Sequence, residues 1–395
     1  MLEDMGYEKV AGVLAESLQA RYRDEFPVTR QLIYLNHAAV APLCRPAARA
    51  MKDLADDVCL FGSLHYDKWM EAYAGLRTAA ATLINASPGE IAIVKNTSEG
   101  IATVAEGLDW KPGDKVIVFE EEFPANYYPW LRLERRGVEL IPLSIYDPVE
   151  KIAAAIQTAR LLAISYVNYL SGFRVNLQRI GQLCSEHECF FFVDAIQGMG
   201  AFPIDVEACH IDALAADGHK WMLGPEGNGV LYLQEKWLDA VEPIEFGWTN
   251  PVNYADYSSR DTTLRPDAGR YECGTLNTVG CFGQRAALEF LLEIGIDNIA
   301  AAIHSLASEL ESGVRAKGYQ VITQRTRDTG SGIITFRHPS IDCRSILSDL
   351  ERNRIVATSR QGWIRMSPHF YISPEEIEQV IHTCLLYTSP SPRDR

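Results

Sequence analysis

The chain has 395 residues, 47% of them hydrophobic and 23% charged, with a formal net charge of −15 at pH 7; this is a globular composition with room for two or three packed units, and without any Lys/Arg-rich run it excludes a nucleic-acid footprint. No apolar run reaches the length of a bilayer span, and Met1–Arg21 lacks a signal-peptide profile, so neither a membrane segment nor secretion is expected. The nine cysteines are scattered without metal-type C-x-x-C spacing, which points to reduced thiols in a cytoplasmic protein and to no metal site.

Residues 1–30 precede the first expected core strand, Leu32–Leu35, and are expected to pack on the smaller of two domains. Short apolar runs then predict strands at Ile91–Val94, Lys115–Phe119, Glu139–Leu143, Leu161–Val167, Phe190–Asp194, Ala213–Ala216 and Gly229–Leu233. Helix-period segments lie between them, at Gly100–Gly107, Tyr128–Arg136, Val149–Ala159 and Leu177–His187. Such alternation predicts an α/β fold around a mostly parallel sheet, here seven-stranded, with helices on both faces. The strands are continuous apolar runs, as suits strands buried on both faces.

The pattern changes beyond Tyr271. Long helices are predicted at Val279–Ile294 and Ile296–Ala316. Strands follow at Gln320–Thr323, Gly332–Arg337, Arg354–Ser359 and Trp363–Ser367, with a helix at Cys343–Asn353. The expected division is a large domain over 31–290 and a smaller C-terminal α/β domain over 291–383. Residues 384–395, Cys-Leu-Leu-Tyr-Thr-Ser-Pro-Ser-Pro-Arg-Asp-Arg, resemble the in-frame translation of a sequencing-library adapter and are expected to be a non-native tail.

The chemistry centres on Asp217-Gly218-His219-Lys220-Trp221, just after a predicted strand and before the turn Gly224-Pro225-Glu226-Gly227-Asn228-Gly229. Burial at such a turn disfavours a charged amine and makes a nucleophile of Lys220; a lone lysine is otherwise a surface residue. Asp194 supplies context, because it stands at the carboxyl end of Phe190–Asp194, where open α/β sheets bind ligands. A carboxylate there can pair with a protonated pyridine nitrogen and keep the ring an electron sink; the plain alternative is a helix N-cap. Gln197, three residues on, can hydrogen-bond a phenolic oxygen of the same ring.

The ordered series Asp194-x-x-Gln197, His219-Lys220 and Gly224-Pro225-x-Gly227-x-Gly229 resembles the class V aminotransferase family of fold-type I pyridoxal 5′-phosphate (PLP) enzymes. That family includes cysteine desulfurases, selenocysteine lyases and isopenicillin N epimerase-like proteins. The resemblance runs from about Tyr34 to His382. It implies PLP held as a Schiff base on Lys220, with Asp194 at the ring nitrogen and Gln197 at the ring oxygen. Tyr34-Leu35-Asn36-His37-Ala38-Ala39 resembles the segment lining the active site, which puts Asn36 and His37 near the substrate. Asn96-Thr97-Ser98-Glu99-Gly100 resembles the phosphate-binding turn. There Thr97 and Ser98 open a helix whose N-terminus favours a phosphate dianion, though the same residues also suit a capping box.

By the same resemblance Phe123 takes the place of a ring-stacking histidine. The ring-oxygen asparagine falls at Asn168 or Tyr169. Thr275, in Glu272-Cys273-Gly274-Thr275, reaches a neighbouring subunit's phosphate, which implies a homodimer. Arg365, in Trp363-Ile364-Arg365-Met366, clamps the substrate α-carboxylate, for which a planar guanidinium is suited. Two departures stand out. Asp217 occupies the place of a phosphate-binding serine, so His219 is expected to carry more of that contact. The segment Thr358-Ser359-Arg360-Gln361-Gly362 has no persulfide-forming cysteine.

The resemblance implies a PLP-dependent transferase or lyase acting at Cα or Cβ of a small amino acid, with Lys220 as general base. Transamination, epimerisation and β-elimination share these steps, and the branch stays open. One alternative is a cysteine desulfurase or selenocysteine lyase without a loop cysteine. Another, from a different class, is a non-catalytic PLP-fold scaffold; the presence together of Lys220, Asp194 and Arg365 weighs against it.

Overall fold

The computed structural model describes residues 12, 14, 16–322 and 325–384. Part of the expected N-terminal segment (1–11, 13 and 15) and all of the expected tail beyond Cys384 lie outside the described residues. In chain order the strands are β1 (Ile33–Tyr34), β2 (Ile91–Val94), β3 (Lys115–Phe119), β4 (Glu139–Leu143), β5 (Leu161–Ser165), β6 (Phe190–Asp194), β7 (Ala213–Asp217), β8 (Gly229–Leu233), β9 (Gln320–Val321), β10 (Ile334–Arg337), β11 (Ile355–Val356), β12 (Thr358–Arg360) and β13 (Trp363–Met366). The chain divides into two compact units. One comprises Pro46–Tyr166 and Val175–Glu293; the other takes the described residues of Met1–Arg45, Val167–Arg174 and Ile294–Arg395.

The first unit is built on a seven-stranded sheet in the order β2-β8-β7-β6-β5-β3-β4. Only β8 runs against its neighbours, so the sheet is mostly parallel, as the strand–helix alternation predicts. Every residue of β2, β6, β7 and β8 is buried. Burying one such Phe or Leu side chain stabilises the fold by roughly 1.5–3 kcal/mol. Phe192 of β6 is fully buried and meets Trp130 edge-on, with ring centroids 5.5 Å apart. Phe192→Ala would therefore cost about 3–5 kcal/mol.

The helix Thr97–Gly107 shows how the sequence directs elements onto this sheet. Asn96 caps it, its side chain accepting from Glu99 N at 3.0 Å, while the Glu99 carboxylate accepts from Lys95 N. A Cβ at Gly100 would stand 2.8 Å from Ala215 Cβ of β7, so only glycine lets the helix lie this close to the strand. Helix Leu177–Glu186 starts on Asn176 in the same way, with Arg179 N donating to its side chain at 2.9 Å. The expected helix Tyr128–Arg136 instead breaks into an α-turn, Tyr128–Leu131, and a 3₁₀ segment, Arg132–Arg136, which stops at Gly137 with φ +79°.

The second unit carries an antiparallel sheet in the order β12-β13-β10-β9 and a two-stranded parallel sheet of β1 and β11. Here the structure corrects two expectations. Leu32–Leu35 contributes only Ile33–Tyr34, paired with Ile355–Val356 rather than with the large sheet. Arg354–Ser359 is not one strand, because its halves pair with different partners: β11 with β1, and β12 with β13. Thr323, expected at the end of a strand, lies outside the described residues. Arg23 binds Glu376 with two hydrogen bonds, of 2.7 and 2.8 Å, and Phe26 stacks on Tyr371 at a centroid distance of 3.7 Å. Cys384 is buried, and its carbonyl accepts from Tyr319 Oη at 2.9 Å.

No disulfide joins the nine cysteines. Among the described residues no helix is long and apolar enough to cross a membrane, and no cluster of three or more His, Cys, Asp or Glu could hold a metal ion.

Candidate active site

Strands β2, β3, β5, β6 and β7 run in one direction, so their carboxyl ends share one edge of the sheet. Thr97 follows β2, Phe123 follows β3, Asp194 ends β6, and His219 and Lys220 follow β7. Ligands of open α/β sheets bind along such an edge.

Asp194 is 2% exposed, and its Oδ1 accepts from Ile196 N at 3.0 Å. Burial pushes its carboxyl up to about 6, against the bond from Ile196 and the attraction of Lys220, which both favour the charged form. Lys220 is therefore the cation felt by this buried acid. Two glycines let its loop pack. A Cβ at Gly218 or Gly224 would fall 1.7 or 1.9 Å from Oε1 of Gln284, a fully buried residue of the helix Thr278–Ile294. Gly224 N donates to Gly218 O at 2.9 Å and closes the turn. Trp221, fully buried, donates its indole N–H to Gln197 Oε1 at 2.9 Å. That bond settles which end of the Gln197 amide is oxygen and leaves Nε2 as its donor end.

Thr97 opens its helix with a side chain only 4% exposed, and its Oγ1 is buried without a hydrogen-bond partner. Ser98 beside it is exposed. Backbone N–H groups in a first helical turn have no helical acceptor, so this end can receive an anion. Asp217 is buried, and its Oδ1 stands 3.0 Å from His219 Nδ1, within ion-pair range but without hydrogen-bond alignment. The acid that departs from the family pattern is thus neighboured by an ionisable ring. Phe123 is 49% exposed and can offer a ring face. Thr275 is exposed and lies apart from these groups, on a pocket of about 170 Å³ that Lys95, Glu99, Asn228 and Cys273 also line.

Glu122 was not singled out for any role by its sequence. It ends the run Glu120-Glu121-Glu122, which reads as a solvated charge cluster, yet it is 8% exposed. Its carboxyl accepts from Ser165 N at 2.5 Å and bonds Ser165 Oγ. Burial pushes it up to about 8, and Asp194 adds to the rise. The readable signal was position: three acids immediately after a buried strand, at the carboxyl edge.

The remaining expected site residues belong to the other unit. Arg365 on β13 is 2% exposed; Nη1 donates to Tyr169 O at 2.6 Å, and Nε is buried without a partner. No acid among the described residues pairs with it. Burial, helped by Arg360, lowers it to about 10, so it stays charged at neutral pH. Asn36 forms a bridge with Ser367, and its Oδ1 is buried without a partner. His37 is fully buried, and both ring nitrogens are engaged, Nδ1 with Ser367 O at 2.7 Å and Nε2 with Tyr371 Oη at 2.6 Å. Its ring joins two stretches of its own unit instead of offering an open face. Asn168 Oδ1 accepts from Leu170 N, Ser171 N and Ser171 Oγ, so its carbonyl end caps its own turn. The side chain of Tyr169 accepts from Gln361 Nε2 at 3.0 Å.

A family model described as aminotransferase class-V matches residues 33–380. The chain is 30% identical over 386 residues to a protein of Pyrococcus abyssi named probable cysteine desulfurase, covering 90% of this chain and 94% of that protein. It is 27% identical to an uncharacterized aminotransferase, YcbU, of Bacillus subtilis, covering 93% of this chain and 97% of that one. Among solved structures, the apo cysteine desulfurase of Thermococcus onnurineus matches with a TM-score of 0.86 at 26% identity, over 93% of this chain and 97% of the other.

Proposed function

The chain belongs to the class V aminotransferase family of PLP-dependent enzymes, and from that premise we propose that Lys220 Nζ is the amine through which PLP is attached and the base that moves the substrate Cα proton. The observation that carries this reading is the buried Asp194 carboxyl at the end of β6, under the influence of Lys220. A second observation supports the fit: Thr97 Oγ1 is a buried, unpartnered hydroxyl at a helix N-terminus, which a phosphate oxygen would satisfy. When bound, PLP supplies the electron sink for the pair left at Cα.

The residues then divide the work. Asp194 holds the proton at the ring nitrogen, and Gln197 Nε2 donates to the ring oxygen. Thr97, Ser98 and His219 donate to the phosphate. Phe123 covers a ring face. Arg365 pairs with the substrate carboxylate through a guanidinium whose Nε is still unpartnered, and Asn36 completes that contact. Asn168 is kept as a candidate for the ring oxygen, with its carbonyl end engaged by its own turn. His37 holds Ser367 and Tyr371 in place beside Asn36.

The substrate is a small amino acid, changed at Cα or Cβ. A persulfide relay is disfavoured by the hairpin β12–β13. Arg360 pairs directly with Trp363, and Gln361 and Gly362 form a two-residue turn with φ of 51° and 80°, as a tight primed turn requires. No thiol stands there, and the connection is only two residues long. The protein is further proposed to be a cytoplasmic homodimer in which the partner subunit's Thr275 reaches the phosphate. Exposed Leu60, Phe61 and Leu64 in one segment, and Phe246 and Trp248 in another, are the apolar surface such a dimer would cover.

The test is spectroscopic. Purified protein should show the visible band of lysine-bound PLP, and Lys220→Ala should lose it. Retention of the band in that variant would overturn the reading. A panel of small amino acids, scored by spectral change and product, then selects the branch: a keto acid for transamination, inverted stereochemistry for epimerisation, sulfide or alanine for desulfuration. Sedimentation equilibrium checks the dimer.

A further inference from the structure

Three buried carboxyls stand at the carboxyl edge of the seven-stranded sheet; Asp217 ends β7 beside His219, and of the remaining two the proposed chemistry uses only Asp194. The other, Glu122, occupies a gap in the sheet. The β3–β5 ladder pairs only Val116 with Leu161 and Ile117 with Leu162. It therefore stops before Phe119 at the end of β3 and before Ser165 at the end of β5. By contrast β5 and β6 stay paired to their ends, where Ser165 is the register partner of Asp194, and Tyr166 N donates to Asp194 O at 2.9 Å. Ser165 N is thus a half-buried donor at the end of β5 that β3 does not satisfy. The Glu122 carboxyl satisfies it, and bonds the Ser165 hydroxyl as well.

We infer that Glu122 is a positioning residue for the cofactor ring: it closes the open end of the β3–β5 pair, and so sets the spacing between Asp194 on one side and Phe123, its own neighbour in sequence, on the other. This rests on the reading that Asp194 and Phe123 hold the ring. An apolar residue would fill the space but leave Ser165 N without an acceptor. The titratable group facing Glu122 is Asp194, which in turn faces Lys220. Two carboxyls in one buried site do not ionise independently. Burial and Asp194 both favour protonated Glu122 at neutral pH, which leaves the single negative charge on Asp194.

The test compares wild type, Glu122→Gln, Glu122→Ala and Asp194→Asn. Two quantities are read: PLP affinity, by fluorescence titration of the apoprotein, and the pH titration of the holoprotein's visible band. Gln keeps an acceptor for Ser165 N and a donor for its hydroxyl, but cannot ionise. Glu122→Gln should bind PLP within about threefold of wild type while losing the spectral step near pH 8, and Glu122→Ala should bind roughly tenfold more weakly. If Glu122→Ala fails to fold, Glu122→Gln decides through the pH step. Wild-type affinity and wild-type pH titration in the Glu122 variants would overturn the inference, provided Asp194→Asn alters them. If Asp194→Asn also changes neither quantity, the assignment of Asp194 to the ring falls, and the inference with it.

Discussion

The Trp221 indole donates to Gln197 Oε1 at 2.9 Å, and this bond ties the loop that carries Lys220 to the turn that carries Asp194. Both partners are buried, so the bond is made away from water and neither end can be left unsatisfied cheaply. Trp221→Phe removes the donor and leaves the Gln197 carbonyl without it. Stability should fall by about 1–3 kcal/mol in urea unfolding. The proportion of purified protein carrying PLP, read from the visible band, should fall with it. An unchanged denaturation midpoint and full loading would show that the two segments are held by other means.

Gly224 faces Gln284 across a gap too small for a methyl group. The Cβ of Gly224→Ala would lie 1.9 Å from Gln284 Oε1, and its three nearest neighbours would all be atoms of that side chain. Overpacking should cost about 1–3 kcal/mol. Because the clash is with one side chain, Gly224→Ala combined with Gln284→Ala should recover more stability than the separate effects predict. A double-mutant cycle with no coupling would refute the packing account.

His37 gives a signed dependence on pH. Burial lowers it from 6.5 to about 4 in the folded chain, partly opposed by its bond to Ser367. Between those values the unfolded chain binds the proton and the folded chain does not. Stability should therefore fall as pH drops from about 6.5 to about 4, and the His37 contribution should level off below that. Its full size is on the order of 3 kcal/mol. Unfolding free energies of wild type and His37→Gln, measured across this range, should diverge in slope; parallel curves would show that His37 takes no part.

Arg365 offers a split between substrate and cofactor. Lysine keeps the charge but not the planar fork, and the bond to Tyr169 O would be lost or remade at a different angle. Arg365→Lys should raise KM for the amino-acid substrate by about tenfold or more, with PLP affinity unchanged. A loss of PLP affinity of similar size would mean that the buried guanidinium serves the fold instead.

The parallel sheet was legible in the sequence because strands buried on both faces carry unbroken apolar runs, and Phe190–Val193 and Leu161–Ile164 are such runs. Family and cofactor were legible because Asp194, Gln197, His219 and Lys220 lie in a few short segments with characteristic local order. Backbone chemistry within a segment is local, so the helix start at Thr97 and Ser98 and the glycine turns around Lys220 could be read as they stand. What a segment pairs with is not local. Only the tertiary structure joined Ile33–Tyr34 to Ile355–Val356 and divided the stretch around Ala357 between two sheets. Only it placed Glu122 in the gap beside Ser165, while its neighbours in the same acidic run met other partners or water. Burial is a property of what folds over a residue, and three adjacent glutamates look alike until β5 is laid beside one of them.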